Sequence, residues 1–424
     1  MRVWLVALMA LVVCGLETGL RLGPASPDTR YTLPQYSLGY FWDTPLGWTG
    51  LVSGVLVNKD SVQFASLAGF FHDEPAVPVP LEDNVYTRFA AYPLLGSSLA
   101  PLLGTYASFV LVNVLFWVAA AVATYVLAIR RTGSPLVGAL AALLVSTSPA
   151  FEALAGQALP YVASYGIFVL GLLLFDHVAL FDKSTSARTA LAAGLIGGVG
   201  FVFYDLYMLP AFVVVYGLLR RMPLRNLVLV LVAMALPRLT WSLYWQAAQL
   251  ASYSHNEAHP AEALAAWFDA ARTGEGLGKV KAYVLLAAHG VLNIGAAFLF
   301  WPVALALLEL AVLARRRAPE TLWFIAVAIA GFAPALFMLS TWPHIPRWYA
   351  YGFPAVYILA AAATVRLARW LTRAKPQLRM PATAIAVALI LPALVLSNLD
   401  VLGASRPMEL VLFQPSHWSY LWSR

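Results

Sequence analysis

Apolar runs of about twenty residues, separated by short clusters of arginine and lysine, recur along this chain and leave it little choice of environment. A helix needs about 20 predominantly apolar residues to cross the hydrocarbon core of a bilayer. Eleven segments meet or approach that length, with cores near 3–22, 105–129, 134–149, 159–180, 189–204, 206–219, 226–245, 283–313, 321–340, 349–365 and 381–399. Only 11% of the 424 residues are charged and 61% are hydrophobic, with a mean hydropathy of +0.76; a soluble domain carries about 25% charged residues. The expected fold class is an all-α polytopic membrane protein with about eleven transmembrane helices, forming a single transmembrane domain over residues 1–424.

Charge placement tests the count. Cytoplasmic loops of membrane proteins carry an excess of lysine and arginine. With the N-terminus inside, one alternating path puts Arg2, Arg130, Arg131, Lys183, Arg188, Arg220, Arg221, Arg225, Arg315, Arg316, Arg317, Arg366, Arg369, Arg373, Lys375 and Arg379 on the cytoplasmic side, 16 of the 27 basic residues. Most acids, among them Asp28, Asp43, Asp60, Asp73, Glu74, Glu152, Asp205 and Glu257, then lie outside, and the odd number of spans leaves the C-terminus outside. The net charge of +7 is thereby explained by topology, and nucleic acid is excluded as a partner. Cys14 is the single cysteine, so disulfides within the chain are impossible and a cysteine-based metal site is disfavoured. Arg2 followed by the apolar run Val3 to Cys14, with no clear small-x-small cleavage site after it, reads as a retained signal anchor.

Two outer segments are too long to be turns, and loops of such length are usually functional. The first, residues 23–104, contains the prolines Pro75, Pro78 and Pro80, which argue for irregular backbone, and one helix candidate, 61–71. The second, 246–282, contains Ser254-His255-Asn256-Glu257 and a short helix over 260–272. After Asp400, Trp418, Tyr420 and Trp422 suit an interfacial aromatic anchor.

Within the first insert, Phe64, Leu67, Ala68 and Phe71 recur at helical spacing with Ser61, Gln63 and Ser66 between them, the pattern of an amphipathic helix at the membrane surface. Asp60 falls at its N-cap, and Gln63 completes a capping-box spacing. Capping alone is a sufficient reason for Asp60; a carboxylate held ionised by the helix dipole also suits a group that faces a cation or accepts a proton. His72-Asp73-Glu74 ends the same helix and reads either as a solvated charge run or, with Asp60, as ligands to a divalent metal. Arg88, just before the second span, either anchors at the interface or pairs with a phosphate. Asp205, in the tight apolar hairpin Phe203-Tyr204-Asp205-Leu206-Tyr207, must cap a helix or face a polar cavity. Arg238 lies inside the seventh span beside Pro237; an intramembrane arginine marks function by default, and carbonyls opened by the proline are its bland alternative partners. The loop Trp342-Pro343-His344-Ile345-Pro346-Arg347-Trp348-Tyr349 offers a fixed cation, an imidazole and aromatic faces at headgroup level, a set suited to a lipid phosphate and a sugar ring. An aromatic belt with a stray cation is the plainer account.

These features resemble the GT-C class of polytopic glycosyltransferases, which use polyprenyl-phosphate-linked sugars. Asp60-Ser61-Val62-Gln63-Phe64 is similar to the Asp-x-x-x-aromatic element of their first outer loop. Arg88-Phe89-Ala90-Ala91-Tyr92-Pro93-Leu94-Leu95 is similar to their Arg-x-x-x-Tyr-Pro-Leu-Leu run before the second span. Tyr204-Asp205 falls where many members carry an acid, and Arg347-Trp348-Tyr349 with Pro354 resembles the Arg-Tyr and later Pro that approach the lipid phosphate. The chain departs from the class in that Asp60 stands alone about 40 residues beyond the first span, where Asp43 competes with it, and in having no soluble C-terminal domain. The resemblance implies an inverting transfer in a bacterial-type plasma membrane. The donor is a polyprenyl-phosphate-linked sugar and the acceptor a glycan, lipid or protein on the extracytoplasmic face. Asp60, Asp205 or Asp43 would be the catalytic carboxylate, acting directly or through a divalent cation (Mg or Mn). Arg347, His344, Arg238 and Arg88 would bind the donor phosphate, and Trp342, Trp348 and Tyr349 the sugar or lipid. A metal would use Asp60, His72 and Asp73.

Two other readings compete. A transporter or flippase predicts polar residues near mid-membrane and paired, broken helices; the sequence has no internal repeat, and its polar residues favour one face. A non-catalytic subunit packed beside other membrane subunits also accommodates a single carboxylate and few cations.

Overall fold

The computed structural model describes residues 2–21, 59–71, 89–156, 158–204, 206–247, 294, 298–338, 350–374 and 380–397, and every regular element among them is helical. The first ten helices are α1 (Val3–Arg21), α2 (Lys59–Phe71), α3 (Ala91–Leu103), α4 (Thr105–Thr132), α5 (Pro135–Ser146), α6 (Pro149–Ala155), α7 (Tyr161–His177), α8 (Ala187–Gly198), α9 (Gly200–Phe203) and α10 (Met208–Leu219). They are followed by α11 (Leu224–Ala247), α12 (Phe300–Arg315), α13 (Glu320–Met338), a 3-10 turn (Ala350–Gly352), α14 (Phe353–Ala374) and α15 (Ala382–Ser397). Where the apolar segments fall on described residues they are largely helical. By length and composition, 107–132, 135–152, 224–245 and 350–374 each suffice to cross a bilayer, and the others are shorter apolar helices. The protein is an all-α integral membrane protein.

The structure departs from the sequence reading in three places. The insert 23–104 contains a second helix, α3, with Pro101 in its last turn; proline there removes one hydrogen bond without ending the helix early. Helix α2 is not half-submerged: side chains from Gln63 to Gly69 are all buried, polar Gln63 and Ser66 included. The expected continuous span 283–313 is interrupted at Leu299, which has φ 59° immediately before α12 begins at Phe300. A branched side chain rarely adopts that left-handed backbone.

The chain folds as two compact units, one of residues 1–123 and 151–255, the other of 124–150 and 256–424. In the first, α8 packs along α11 through a seam of small residues. A Cβ on Gly194 would lie 2.6 Å from the Val230 carbonyl oxygen, and one on Gly198 2.4 Å from that of Met234. Small residues four apart let helix backbones touch, the usual way that helices associate where lipid removes the hydrophobic drive. The pairing 194 with 230 and 198 with 234 makes the two helices parallel, as alternating crossings with α10 between them require. Gly166 of α7 meets α4 in the same way, its missing Cβ 2.8 Å from the Phe116 carbonyl oxygen.

In the second unit α14 is the central helix, buried along Phe353 to Ala361. Tyr357 donates its hydroxyl hydrogen to Ser148 Oγ at 2.8 Å and takes the edge of Phe298 at 5.6 Å. Arg366 of α14 holds Glu309 of α12 with two parallel hydrogen bonds, Nε to Oε2 at 2.9 Å and Nη2 to Oε1. Glu309 is a charge inside an apolar helix, tolerable only because this fork satisfies both carboxylate oxygens. Arg131 lies over the Trp323 ring at 4.7 Å.

Candidate functional site

Most of the residues singled out in the sequence, namely Asp43, His72, Asp73, Arg88, Asp205, Trp342, His344, Arg347, Trp348 and Tyr349, lie outside the described residues. Asp60 is described in backbone only. Helix α2 begins at Lys59, so Asp60 stands in the first turn rather than at the N-cap. The positive end of the helix dipole reaches this position too, so an ionised carboxylate is still favoured there.

What the structure does describe is the scaffold on which these positions sit. Helix α2 packs on α3, with Phe64 edge-on to Tyr92 at 5.6 Å between ring centres. Tyr92, buried in the Ala-Tyr-Pro run that opens α3, donates its hydroxyl hydrogen to Asn113 Oδ1 of α4 at 3.2 Å. Asn113 in turn donates from Nδ2 to the Ala155 carbonyl at the end of α6, 3.3 Å away. A buried amide between apolar helices is costly unless both its ends are used, and here both are. The chain of bonds joins α3, α4 and α6.

A second network begins at Phe89, next to Arg88. Its ring lies 4.8 Å from that of Tyr204, the residue preceding Asp205. The Tyr204 and Tyr161 hydroxyls are 2.9 Å apart, and their rings meet edge to face at 5.0 Å. On the other side of Phe89 the Arg238 guanidinium stands over the ring at 5.2 Å. Arg238 is half-buried, so its charge is met by an aromatic face partly screened from solvent, an interaction worth about 0.5–2 kcal/mol. Within this unit, then, the stretches bearing Asp60 and Arg238 and the immediate neighbours of Arg88 and Asp205 belong to two joined networks. Phe89 and Tyr92, three residues apart, are the hinge between them.

One carboxylate had not been singled out. Glu152, on α6 three residues before Ala155, is only 5% exposed. Like Asp205, it is an acid in a short apolar connection, Ser148-Pro149-Ala150-Phe151-Glu152 between the third and fourth apolar segments, so its signal is present in the sequence. Among the described residues no three acidic, histidine or cysteine side chains converge on one point; of the residues expected to hold a metal, His72 and Asp73 lie outside the described residues and Asp60 is described in backbone only.

No family model matches the chain, and no curated protein matches it by sequence. In structure it is similar to ArnT from Cupriavidus metallidurans in the apo state, with TM-score 0.53 and 16% identity over 84% of this chain and 70% of that one. It is similar also to ArnT from the same organism bound to undecaprenyl phosphate, with TM-score 0.53 and 15% identity over 97% of this chain and 74% of that one. The archaeal oligosaccharyltransferase AglB from Archaeoglobus fulgidus, in complex with an inhibitory peptide and a dolichol-phosphate, matches with TM-score 0.50 and 16% identity over 93% of this chain. This chain spans 56% of AglB. At such identities the likeness is one of fold. The chain has the polytopic GT-C fold that its sequence resembles.

Proposed function

We propose that this protein is an integral membrane glycosyltransferase that takes a sugar from a polyprenyl-phosphate-linked donor and delivers it to an acceptor on the extracytoplasmic face. The observation that carries the reading is the fold likeness over nearly the whole chain to proteins solved with undecaprenyl phosphate and with a dolichol-phosphate. The positive-inside path, with the N-terminus cytoplasmic and the C-terminus outside, puts Asp60, Glu152 and Asp205 on the same outer side.

In this reading a carboxylate, Asp60 or Glu152, accepts the proton of an acceptor hydroxyl or amide. The acceptor atom forms its bond to the anomeric carbon from the face opposite the phosphate. The bond from that carbon to the phosphate oxygen breaks, the configuration inverts, and polyprenyl phosphate departs with the bonding pair. Arg347, Arg238, His344 and Arg88 supply positive charge for the leaving phosphate, and Trp342, Trp348 and Tyr349 supply faces for the sugar or lipid.

The test is transfer from a set of polyprenyl-phospho-sugars by the purified protein in lipid, comparing wild type with Asp60→Asn, Glu152→Gln, Asp205→Asn and Asp43→Asn. Loss of a general base reduces the rate about 10²–10⁴-fold. Wild-type turnover with at least one donor, and such a loss in at least one folded variant, is the expected result. No turnover with any donor, or full activity in all four variants, overturns the reading.

A further inference from the structure

Five cations with no part in the proposed chemistry gather where α8 and α11 begin. Lys183 lies on the turn that leads into α8 and Arg188 in the first turn of that helix, while Arg220 and Arg221 lie on the turn that leads into α11 and Arg225 in its first turn; all five are exposed. The two turns are fixed to each other by Asn226, whose Nδ2 donates to the Thr185 carbonyl at 2.8 Å. Each is also fixed within itself. Thr185 donates its hydroxyl hydrogen to the Ala179 carbonyl at 2.7 Å, and Arg221 holds a left-handed backbone, φ 53°, while the Met222 amide bonds the Gly217 carbonyl at 2.8 Å. Among the described residues one carboxylate answers these cations: Asp182, 3.9 Å from Arg220. Both members of that pair are well exposed, so it neutralises little. Both helices start here, and the positive ends of their dipoles reinforce the sign of the patch.

The surface directly below the cations is apolar. Leu191 and Leu195 of α8 and Leu224, Val228 and Val232 of α11 are all exposed, on two helices held side by side by the glycine seam. In an integral membrane protein that surface faces acyl chains. An anionic headgroup over a pair of acyl chains matches the sequence of charge and hydrocarbon along this face. We infer that the turns 182–188 and 220–226 with the outer faces of α8 and α11 form a docking surface for an anionic diacyl phospholipid of the phosphatidylglycerol type. Each lysine or arginine near a headgroup layer contributes about a fivefold gain in affinity, and a site held together by side-chain and backbone hydrogen bonds loses little entropy on occupation.

The test titrates dioleoyl phosphatidylglycerol, and dioleoyl phosphatidylcholine in parallel, into the full-length protein in an uncharged detergent and reads the first bound lipid by native mass spectrometry. Phosphatidylglycerol should bind at least tenfold tighter than phosphatidylcholine. Lys183→Gln/Arg221→Asn/Arg225→Gln leaves the Arg220–Asp182 pair intact, places at 221 a residue that tolerates the left-handed backbone, and should lose that affinity by roughly a hundredfold. Arg315→Gln/Arg369→Gln/Arg373→Gln, removing equal charge from the other unit, should keep it. If the first triple variant does not fold, Arg188→Gln/Arg225→Gln should lose about thirtyfold. Equal binding of the two lipids, retention of affinity by the patch variants, equal loss in both triple variants, or saturation by glycerol phosphate as readily as by the lipid would each overturn the inference, the last in favour of a soluble phosphate ligand.

Discussion

Removing Arg366 is the sharpest test of how the second unit is held together. Its guanidinium occupies both oxygens of Glu309, whose side chain is 3% exposed, whereas the Arg366 side chain is 38% exposed. Arg366→Met keeps the length of the apolar stem, so packing changes little and the carboxylate loses its only fork. Breaking a buried pair by removing one partner costs about 3–5 kcal/mol, chiefly through the charge left behind. Water reaches the arginine here, so screening brings the expected loss to or below the bottom of that range, about 2–3 kcal/mol. Glu309→Leu/Arg366→Met removes both charges and should return to within about 1 kcal/mol of wild type or exceed it, since an apolar replacement of a buried pair is often neutral or stabilising. The measurement is reversible unfolding in mixed micelles of rising denaturing-detergent fraction, followed by tryptophan fluorescence. The reasoning fails if Arg366→Met unfolds within about 0.5 kcal/mol of wild type, or if the double variant is as unstable as the single one, because the two residues would then be uncoupled.

Three further outcomes follow from the geometry. Gly198→Leu drives a side chain into the Met234 backbone, 2.4 Å from the Cβ position, and Gly15→Leu meets nothing within 4 Å; the first should cost about 3 kcal/mol or fail to accumulate, the second should express like wild type, by fluorescence-detected gel filtration. Tyr161→Phe removes one of two facing buried hydroxyls and should cost about 1 kcal/mol, and adding Tyr204→Phe should cost nothing more in the same unfolding assay. Arg238→Ala should lose about 0.5–2 kcal/mol of stability from the Phe89 contact; in the transfer assay a rise in KM with unchanged kcat would place it in donor binding, and unchanged kinetics would confine it to packing.

Much of the architecture was legible because lipid imposes one rule on every segment: each backbone polar group must be satisfied within its own helix. Long apolar stretches therefore declare themselves, and arginines at their ends give direction. The insert was harder. Tyr92 to Leu103 is apolar enough for a helix, and its prolines, Pro93 in the first turn and Pro101 near the last, interrupt little, but the irregular backbone signalled by Pro75, Pro78 and Pro80 was extended over the whole insert. The burial of Gln63 and Ser66 was illegible because periodicity assumes that polar residues seek water, whereas packing of α2 on α3 covered them. Leu299 carries no turn signature at all. As for the site, Arg238 was visible as a charge within hydrocarbon, while its partner Phe89, about 150 residues away in sequence, was not. Glu152 escaped because it sat among outer acids that a topology argument treats as interchangeable.

The bond from Tyr357 to Ser148 spans 209 residues of sequence, and it sets a schedule. Helix α5 leaves the ribosome long before α14, the helix that it packs against within the second unit. At synthesis rates of about 5–20 residues per second, the intervening chain takes about 10–40 seconds to make. For that interval α5 has α4 beside it, with Gly138 set against Tyr125 and Ile129, but lacks its late neighbour α14. Its mismatched encounters during this window, with other helices or with the insertion machinery, are where slow assembly or degradation of a destabilised variant would begin. The Ser148–Tyr357 bond is therefore as much a marker of when the second unit is finished as of what holds it.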